Sequence, residues 1–252
     1  DRPPLSKGLW KDKPLESIWR MIDDQSVTFH LGRTARELDP RNKRVTDDQG
    51  TTYTFSKLLL ATGCTPRRLP FGGEQIIYFR TVDDYERLRG LTGRGDRFAV
   101  IGGGFIGSEV AAALAMNGKK VVLIFPGESI GDRMYPAELA KFLDTLYGEK
   151  RVEVLLRARV TGCESRRGES ALKILNAQAN SEREVITDGV VAGIGVLPNV
   201  ELAESAGLTV DNGIRVDASL RTTNPNIFAA GDVASFHNTA LNKWLRVEHE
   251  DN

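Results

Sequence analysis

Gly102, Gly104 and Gly107 stand at the spacing G-x-G-x-x-G inside the run FAVIGGGFIGSEVAAALAMNGKKVVLIF, residues 98–125. The run opens as a β-branched apolar segment, breaks at the glycines, resumes as an alanine-rich helical pattern and leads into a second β-branched segment. In a strand–turn–helix setting each glycine has a physical reason. The first permits the tight turn, the second lets a pyrophosphate approach the backbone, and the third lets helix and strand pack closely. Free amides at the start of the helix then attract phosphate oxygens. The chemistry this predicts is the binding of a dinucleotide by its diphosphate, and the alternative is a tight structural turn. Glu109 lies just past the turn, where a carboxylate is out of place beside phosphates.

The second strand of such a unit ordinarily ends in an acid that holds the adenosine ribose. Here it runs into Phe125, Pro126 and Gly127 before Glu128. Glu128 is the ribose candidate, with a solvated loop acid as the alternative. Lys119, Lys120 and Arg133 flank the strand and leave a 2′-phosphate partner open, so NADH is preferred over NADPH without being fixed. Two further stretches, LLLATG (58–63) and IFAAGD (227–232), are apolar strands that stop at a glycine. The second leaves Asp232 at the carboxyl edge, where ligands sit in open α/β sheets.

The elements that must position these groups alternate between short β-branched runs and helical patterns, which argues for an α/β fold with mainly parallel sheets. Gln25 to Leu31 and Lys43 to Phe55 read as paired strands around the DDQG turn. Leu58 to Ala61 and Asn226 to Ala230 read as buried strands. Asp83 to Leu91 and Pro136 to Leu146 read as helices, and Arg151 to Val160, Ala171 to Ala177 and Val185 to Val196 as strands. At 252 residues, 40% hydrophobic and 27% charged, the chain is long enough for one large domain or two modest ones. Its 34 basic residues balance its 34 acidic ones, so no overall field draws it to nucleic acid or an anionic membrane. Its longest apolar runs fall far short of the roughly 18 residues that a membrane-spanning helix requires. Cys64 and Cys163 are too far apart in sequence to suggest a metal or iron–sulfur cluster, and they fit a reducing compartment.

Several stretches together resemble a known family: RPPLSKGLW (2–10), LLLATGCTPR (58–67), FRTVDD (79–84), IGGGFIGSE (101–109), LIFPGE (123–128), GVLPNVELA (195–203), IFAAGDVASF (227–236) and RVEHED (246–251). The chain is similar to the FAD-dependent pyridine nucleotide-disulfide oxidoreductases, within them to the branch of apoptosis-inducing factor and the ferredoxin-reductase-like flavoproteins. The resemblance implies two Rossmann-like, glutathione-reductase-type dinucleotide-binding domains. Residues 1–66 and 197–252 would belong to the FAD-binding domain and residues 67–196 would form the NAD(H)-binding domain. Members also carry an earlier glycine motif for the FAD pyrophosphate and a C-terminal domain over the flavin. Neither is in these 252 residues, so the FAD domain is expected to be incomplete here and the chain to be part of a longer protein.

The resemblance also assigns roles. Asp232 would bind the FAD ribityl hydroxyls, with Arg2, Thr62, Gly63 and Arg80 lining the flavin site. Gly102, Gly104 and Gly107 would hold the NADH pyrophosphate, and Phe105 would stack near the flavin and be displaced by nicotinamide. Glu248 and His249 match positions by the flavin and nicotinamide. Lys7 and Glu109 would meet as a shielded ion pair beside the flavin, which gives Glu109 its reason. Ser6 and Lys7 stand where disulfide-using relatives place a redox cysteine, so thiol relay chemistry is not expected. The implied activity is hydride transfer from NADH to FAD and electron delivery to a quinone, an iron–sulfur protein or oxygen. The alternative is an NADH-responsive protein acting through oligomerisation and partner binding. The resemblance leaves a homodimer open, and it implies a cytoplasmic place with mitochondrial as the alternative.

Overall fold

The computed structural model describes residues 27–247 apart from Ala177. Arg2, Ser6, Lys7, Glu248 and His249 lie outside the described residues. Two compact units are present: Pro66–Gly195, and a second formed by residues 27–65 and 196–247.

The Pro66–Gly195 unit is built on a five-stranded parallel sheet. Its elements in chain order are β1 (Ile76–Ile77), α1 (Val82–Thr92), β2 (Arg97–Ile101), α2 (Phe105–Met116), β3 (Lys120–Ile124), α3 (Ala137–Glu149), β4 (Val152–Leu155), β5 (Ala158–Arg166), β6 (Glu169–Asn176), β7 (Ser181–Thr187) and β8 (Gly189–Ala192). The parallel sheet has the order β1-β8-β2-β3-β4, and β5, β6 and β7 form a separate antiparallel sheet. Side chains alternate across the parallel sheet as strand geometry requires. Phe98, Val100, Val121, Leu123 and Val191 join a core with Leu88 of α1 and Val110, Ala111 and Leu114 of α2. Ala99, Ile101, Val122, Ile124, Val190 and Ala192 join a second core with Val160, Cys163, Leu172 and Ile174 of the antiparallel sheet. Both faces are covered, which is why these strands read as unbroken apolar runs.

The helices start and face as their residues dictate. Thr81 caps α1 in a reciprocal box with Asp84, each side chain serving the other's backbone amide. In α2 the buried positions are Gly107, Val110, Ala111 and Leu114, the spacing of one helical stripe. No helix among the described residues is long and apolar enough to cross a membrane.

The second unit holds a parallel pair, Leu58–Leu60 with Ile227–Ala229, in register Leu60 to Ala229. It also holds Ile214–Val216 parallel to Ala234–Asn238, which pairs antiparallel with Lys243–Leu245. A third sheet is the meander Ala35–Asp39, Arg44–Asp47 and Thr52–Thr54. Asp47 is buried and accepts the amides of Gln49 and Thr51 and the Tyr53 hydroxyl, which closes the DDQG turn.

Three expected strands differ. The partner of Arg44–Asp47 is Ala35–Asp39, and residues 27–31 are irregular and exposed. Arg151 to Val160 is broken at Arg157, whose φ of 53° turns the chain out of the parallel sheet into the antiparallel one. Val185 to Val196 is likewise divided: it runs from β7 into β8, in two different sheets, and Val196 opens a further short strand, Val196–Pro198.

Asp188 makes that second corner. Its Oδ2 accepts the amides of Asp96 and Arg97, each at 2.9 Å, while Oδ1 accepts from Arg97 Nη2 at 2.7 Å. Arg97 also pairs with Glu169 of β6, so one guanidinium joins the corner to both sheets. The bond from Arg97, aided by the two amides, holds the Asp188 carboxyl below its ordinary value of 3.8. Ionised Asp188 therefore stabilises the fold above that pH, and the contribution is lost as pH falls through the lowered folded value. Asp188→Ala is expected to cost about 1–3 kcal/mol in urea unfolding at pH 7, because it strands two amides and leaves the Arg97 guanidinium with Glu169 alone. The gap from the parent should narrow below about pH 4; a gap independent of pH would show that the carboxylate charge is not what holds the corner.

Candidate functional site

The glycine turn leaves β2 at Ile101 and is set by contacts that admit no side chain. Gly102 has φ +114° and donates its amide to the Ile124 carbonyl at 2.9 Å. A Cβ on Gly102 would stand 2.2 Å from the Gly193 carbonyl oxygen, and one on Gly107 would stand 1.8 Å from the Gly102 oxygen. These are backbone atoms, so neither contact can be relieved by turning a side chain. Gly193, just after β8, is held the same way: its Cβ would fall 2.8 Å from the Gly107 nitrogen. Sequence reasoning missed Gly193, although it opens a Gly-x-Gly of its own with Gly195.

Gly104 is different. It is the N-cap of α2 at φ −82°, and a Cβ there would meet nothing within 4 Å. Gly104 has no side chain with which to cap this helix start, and no acid lies in the first turn. The first-turn amides of a helix have no partner within the helix and carry the positive end of its dipole. Open space over Gly104 beside such amides suits a diphosphate, so the residues present fit the dinucleotide that the motif implies.

Phe105, the first residue of α2, is 63% exposed and meets Tyr135 edge-on with ring centroids 6.2 Å apart. It is therefore outside the helical core. Glu109 is half-buried one turn further along. Tyr147 of α3 donates its hydroxyl to the Ser108 carbonyl at 2.9 Å. Burial, and to a lesser degree the charges of Tyr135 and Glu109, raise that hydroxyl above the ordinary tyrosine range.

Glu128 sits in the loop after β3, exposed, and pairs with Arg157 Nη2 at 2.7 Å, while its amide donates to Asp132. The loop is tied to the glycine turn where Gly131 donates to the Gly103 carbonyl at 2.9 Å. Lys119 lies at the other end of β3, bonded to the Gly95 carbonyl and Asp96. Lys119 and Lys120 thus stand at the amino edge of the parallel sheet, opposite the glycine turn, and of the three expected basic residues only Arg133 shares its edge.

The residues assigned to the flavin fall in both units. Arg80 precedes α1 in Pro66–Gly195, where its amide donates to Asp84. Thr62, Gly63 and Asp232 belong to the other unit. The Thr62 hydroxyl donates to the Asn199 carbonyl at 2.7 Å, and Asn199 returns a bond to the Thr62 carbonyl at 2.8 Å. The Thr62 side chain thereby fixes the end of its strand. Gly63 and Gly231 both have positive φ, 63° and 73°, and a Cβ on Gly231 would meet nothing within 4 Å. Asp232 follows in a single turn of 3₁₀ helix, Gly231–Val233, beyond the carboxyl end of Ile227–Ala229. Two strand ends that turn through such glycines, with a carboxylate and open backbone beside them, fit the polyol and phosphate groups of a flavin nucleotide.

The two motif glycines separate fold from ligand experimentally. Gly104→Ala is expected to leave thermal stability close to the parent's and to weaken NADH binding about tenfold, because its methyl enters space that a phosphate needs. Gly107→Ala should instead destabilise the fold by more than about 2 kcal/mol, since backbone must move to admit it. Calorimetric titration and thermal melts of both variants check this, and unchanged NADH affinity in Gly104→Ala would remove the diphosphate from the turn.

Residues 1–248 match the family model described as pyridine nucleotide-disulphide oxidoreductase. The ferredoxin–NAD(+) reductase component of the anthranilate 1,2-dioxygenase system of Burkholderia cepacia is 39% identical over 98% of this chain and 62% of that protein. Putidaredoxin reductase of Pseudomonas putida is 32% identical over 99% of this chain and 61% of that protein. In the crystal structure of a covalent putidaredoxin reductase–putidaredoxin complex, one chain superposes with a TM-score of 0.91 at 31% identity, over 99% of this chain and 62% of that one. The chain thus spans about three fifths of the length of these relatives. Each carries the name of a reductase and the two with a stated source are bacterial, so neither the interaction-protein alternative nor the mitochondrial one draws support from them. The parallel α/β architecture, the glycine turn and these matches agree: the chain belongs to the pyridine nucleotide-disulphide oxidoreductase family, which works with FAD and NAD(H).

Proposed function

We propose that this chain is the NADH-handling part, and a portion of the flavin-holding part, of an NADH-dependent reductase that delivers electrons to a small iron–sulfur protein of the ferredoxin type. The observation that carries this reading is the start of α2: backbone packed too closely for any side chain at Gly102, Gly107 and Gly193, beside open space at Gly104. The names of the relatives favour the ferredoxin-type acceptor, and a cytoplasmic place fits bacterial relatives of this kind.

In this reading Pro66–Gly195 takes the nicotinamide dinucleotide. The amides at the start of α2 hold its diphosphate, Glu128 reaches the adenosine ribose, and Phe105 shields the nicotinamide position until NADH arrives. Thr62, Gly63 and Asp232, with Arg2, Arg80, Glu248 and His249, hold the flavin. The chemistry a bound flavin supplies is acceptance of a hydride and release of its electrons one at a time, which joins NADH to a one-electron carrier. The protein contributes orientation and electrostatics. Lys7 and Glu109 form a shielded pair that sets the local field, and neither acts as nucleophile or base.

The cysteines stay outside this chemistry. Cys64 and Cys163 are buried, at 6% and 7% exposure, and neither forms a disulfide. Burial raises the Cys163 thiol and so disfavours the thiolate that exchange needs.

A protein that carries this chain at the full length of its relatives should show an oxidised flavin spectrum that bleaches on anaerobic NADH addition and recovers on adding a ferredoxin, with turnover faster than with quinone or oxygen. A spectrum that NADH leaves unaltered would sink the reading, and faster turnover with quinone would replace the acceptor. Lys7→Ala and Glu109→Ala should each slow flavin reduction in stopped flow by about tenfold or more, since removing one partner of a shielded pair strands the other charge at a typical cost of about 3–5 kcal/mol. Unchanged rates would take the pair out of the mechanism.

A further inference from the structure

In the unit formed by residues 27–65 and 196–247, one side chain fastens both strand ends assigned to the flavin. Leu58–Leu60 and Ile227–Ala229 are parallel neighbours, and beyond their carboxyl ends the chain passes through Gly63 to Cys64 and through Gly231 to Asp232. Arg246 comes to them from 182 residues after Cys64 and 14 after Asp232. Its Nη1 donates to the backbone carbonyl of Asp232 at 3.2 Å and lies 3.2 Å from Cys64 Sγ. The Cys64 thiol donates to the same Asp232 carbonyl at 3.3 Å. Guanidinium, sulfur and carbonyl close a triangle whose corners come from three separate parts of the sequence.

The surroundings are shaped for the arginine stem. Gly213 has φ +135°, and a Cβ there would stand 2.7 Å from the Val233 carbonyl oxygen and 3.2 Å from Arg246 Cδ. A larger residue at 213 would therefore crowd both the arginine and the turn it holds. Cys64 is buried, and Asp232 and Arg246 are half-buried. A thiol is a weak donor, whereas a guanidinium offers a charged fork. The stronger tie on the Asp232 carbonyl is therefore the one from Arg246.

We infer that Arg246 is a positioning residue for the flavin: it locks the Gly231–Val233 turn against Cys64, so that the Asp232 carboxylate and the open backbone at Gly231 keep one orientation. The inference rests on the flavin reading above. Arg246 acts through the carbonyl of Asp232, so its loss changes how the turn is held, while the core of Ile214, Val216, Ile227 and Val233 stays intact. Lysine keeps the charge but not the fork, and glutamine keeps neither.

The test uses a protein that carries this chain at the full length of its relatives, with FAD removed and titrated back by fluorescence quenching, and with visible circular dichroism of the bound flavin as a second readout. Arg246→Gln is expected to weaken FAD binding about tenfold or more and to change the dichroism band, as loss of a charge-assisted bond would. Arg246→Lys should fall between Gln and the parent, and Cys64→Ala should weaken binding only about twofold, the effect of a weak donor. Val216→Ala, a core truncation in the same unit, serves as a stability control: it should lower the melting temperature and keep the parent's FAD affinity. Arg246→Gln binding within about twofold of the parent would overturn the inference, on the scale where tenfold is about 1.4 kcal/mol. Equal weakening by Val216→Ala would overturn it too, since general loosening would then suffice. Should Arg246→Gln fail to fold, Arg246→Lys decides: parent-like affinity and dichroism overturn the inference, and intermediate values sustain it. A parent protein that takes up no FAD would instead overturn the flavin reading itself, and the inference with it.

Discussion

Three stretches of bare backbone meet where β2, β8 and α2 converge, and the candidate site depends on that contact. The Gly102 oxygen fills the place where Gly107 would carry a side chain, and the Gly193 oxygen fills the place where Gly102 would. Side chains at these points would push α2 off the sheet. A helix held this close has its axis fixed by peptide groups, which do not change rotamer, so its first amides keep a constant aim past the carboxyl edge of the sheet. Hydrophobic burial supplies most of the free energy of the unit, but it is non-directional. The glycine contact is what turns a buried helix into an aimed one.

That contact needs a rigid sheet beneath it, and the sheet is rigid because both faces are covered. Three helices contribute to one core and the antiparallel strands to the other. The chain must therefore leave the parallel sheet after β4 and return for β8, and both corners carry a local device. At the exit Arg157 takes up positive φ, and at the return Asp188 collects two amides and a guanidinium. The corner at Asp188 leads directly into β8, and β8 ends at Gly193. A loosened corner would act on the glycine contact through a strand of four residues, Gly189–Ala192.

How much of this could be read in the sequence follows from where the signal is local. The strand–glycine–helix unit was legible because three conditions coincide within 28 residues: apolar strands buried on both faces, glycines at fixed offsets and a helical stripe. The turns after Leu58–Leu60 and Ile227–Ala229 were legible from the glycine that follows each, but Leu58–Leu60 is not the buried strand its apolar run suggests, because Leu59 is exposed and only Leu60 is buried. Ala35–Asp39 was not, because four of its five residues are not buried and its place is set by pairing with Arg44–Asp47. The breaks at Arg157 and Asp188 hid because apolar residues continue on both sides of each corner, in a different sheet. Gly193 and Arg246 were missed for another reason: Gly193 meets Gly102 and Gly107, and Arg246 meets Cys64, across long stretches of sequence. Lys119, Lys120 and Arg133 flank the same strand in sequence, and its direction in the sheet is what sets Arg133 alone at the edge of the glycine turn.

The position of Glu109 shows how a carboxylate can share a helix with a phosphate site. The helix dipole acts within the first turn, and α2 carries no acid there. At 1.5 Å and 100° per residue, Glu109 is about 6 Å further along the axis than Phe105 and about 40° around it. The two side chains therefore share one face of α2, the exposed ring nearer the amides and the half-buried carboxylate one turn behind it. The amides are left to an anion from outside, while the carboxylate is placed to act on whatever lies along the face that Phe105 begins. A glycine helix start with an acid in its second turn thus serves two charges of the same sign, because the helix separates them by a full turn.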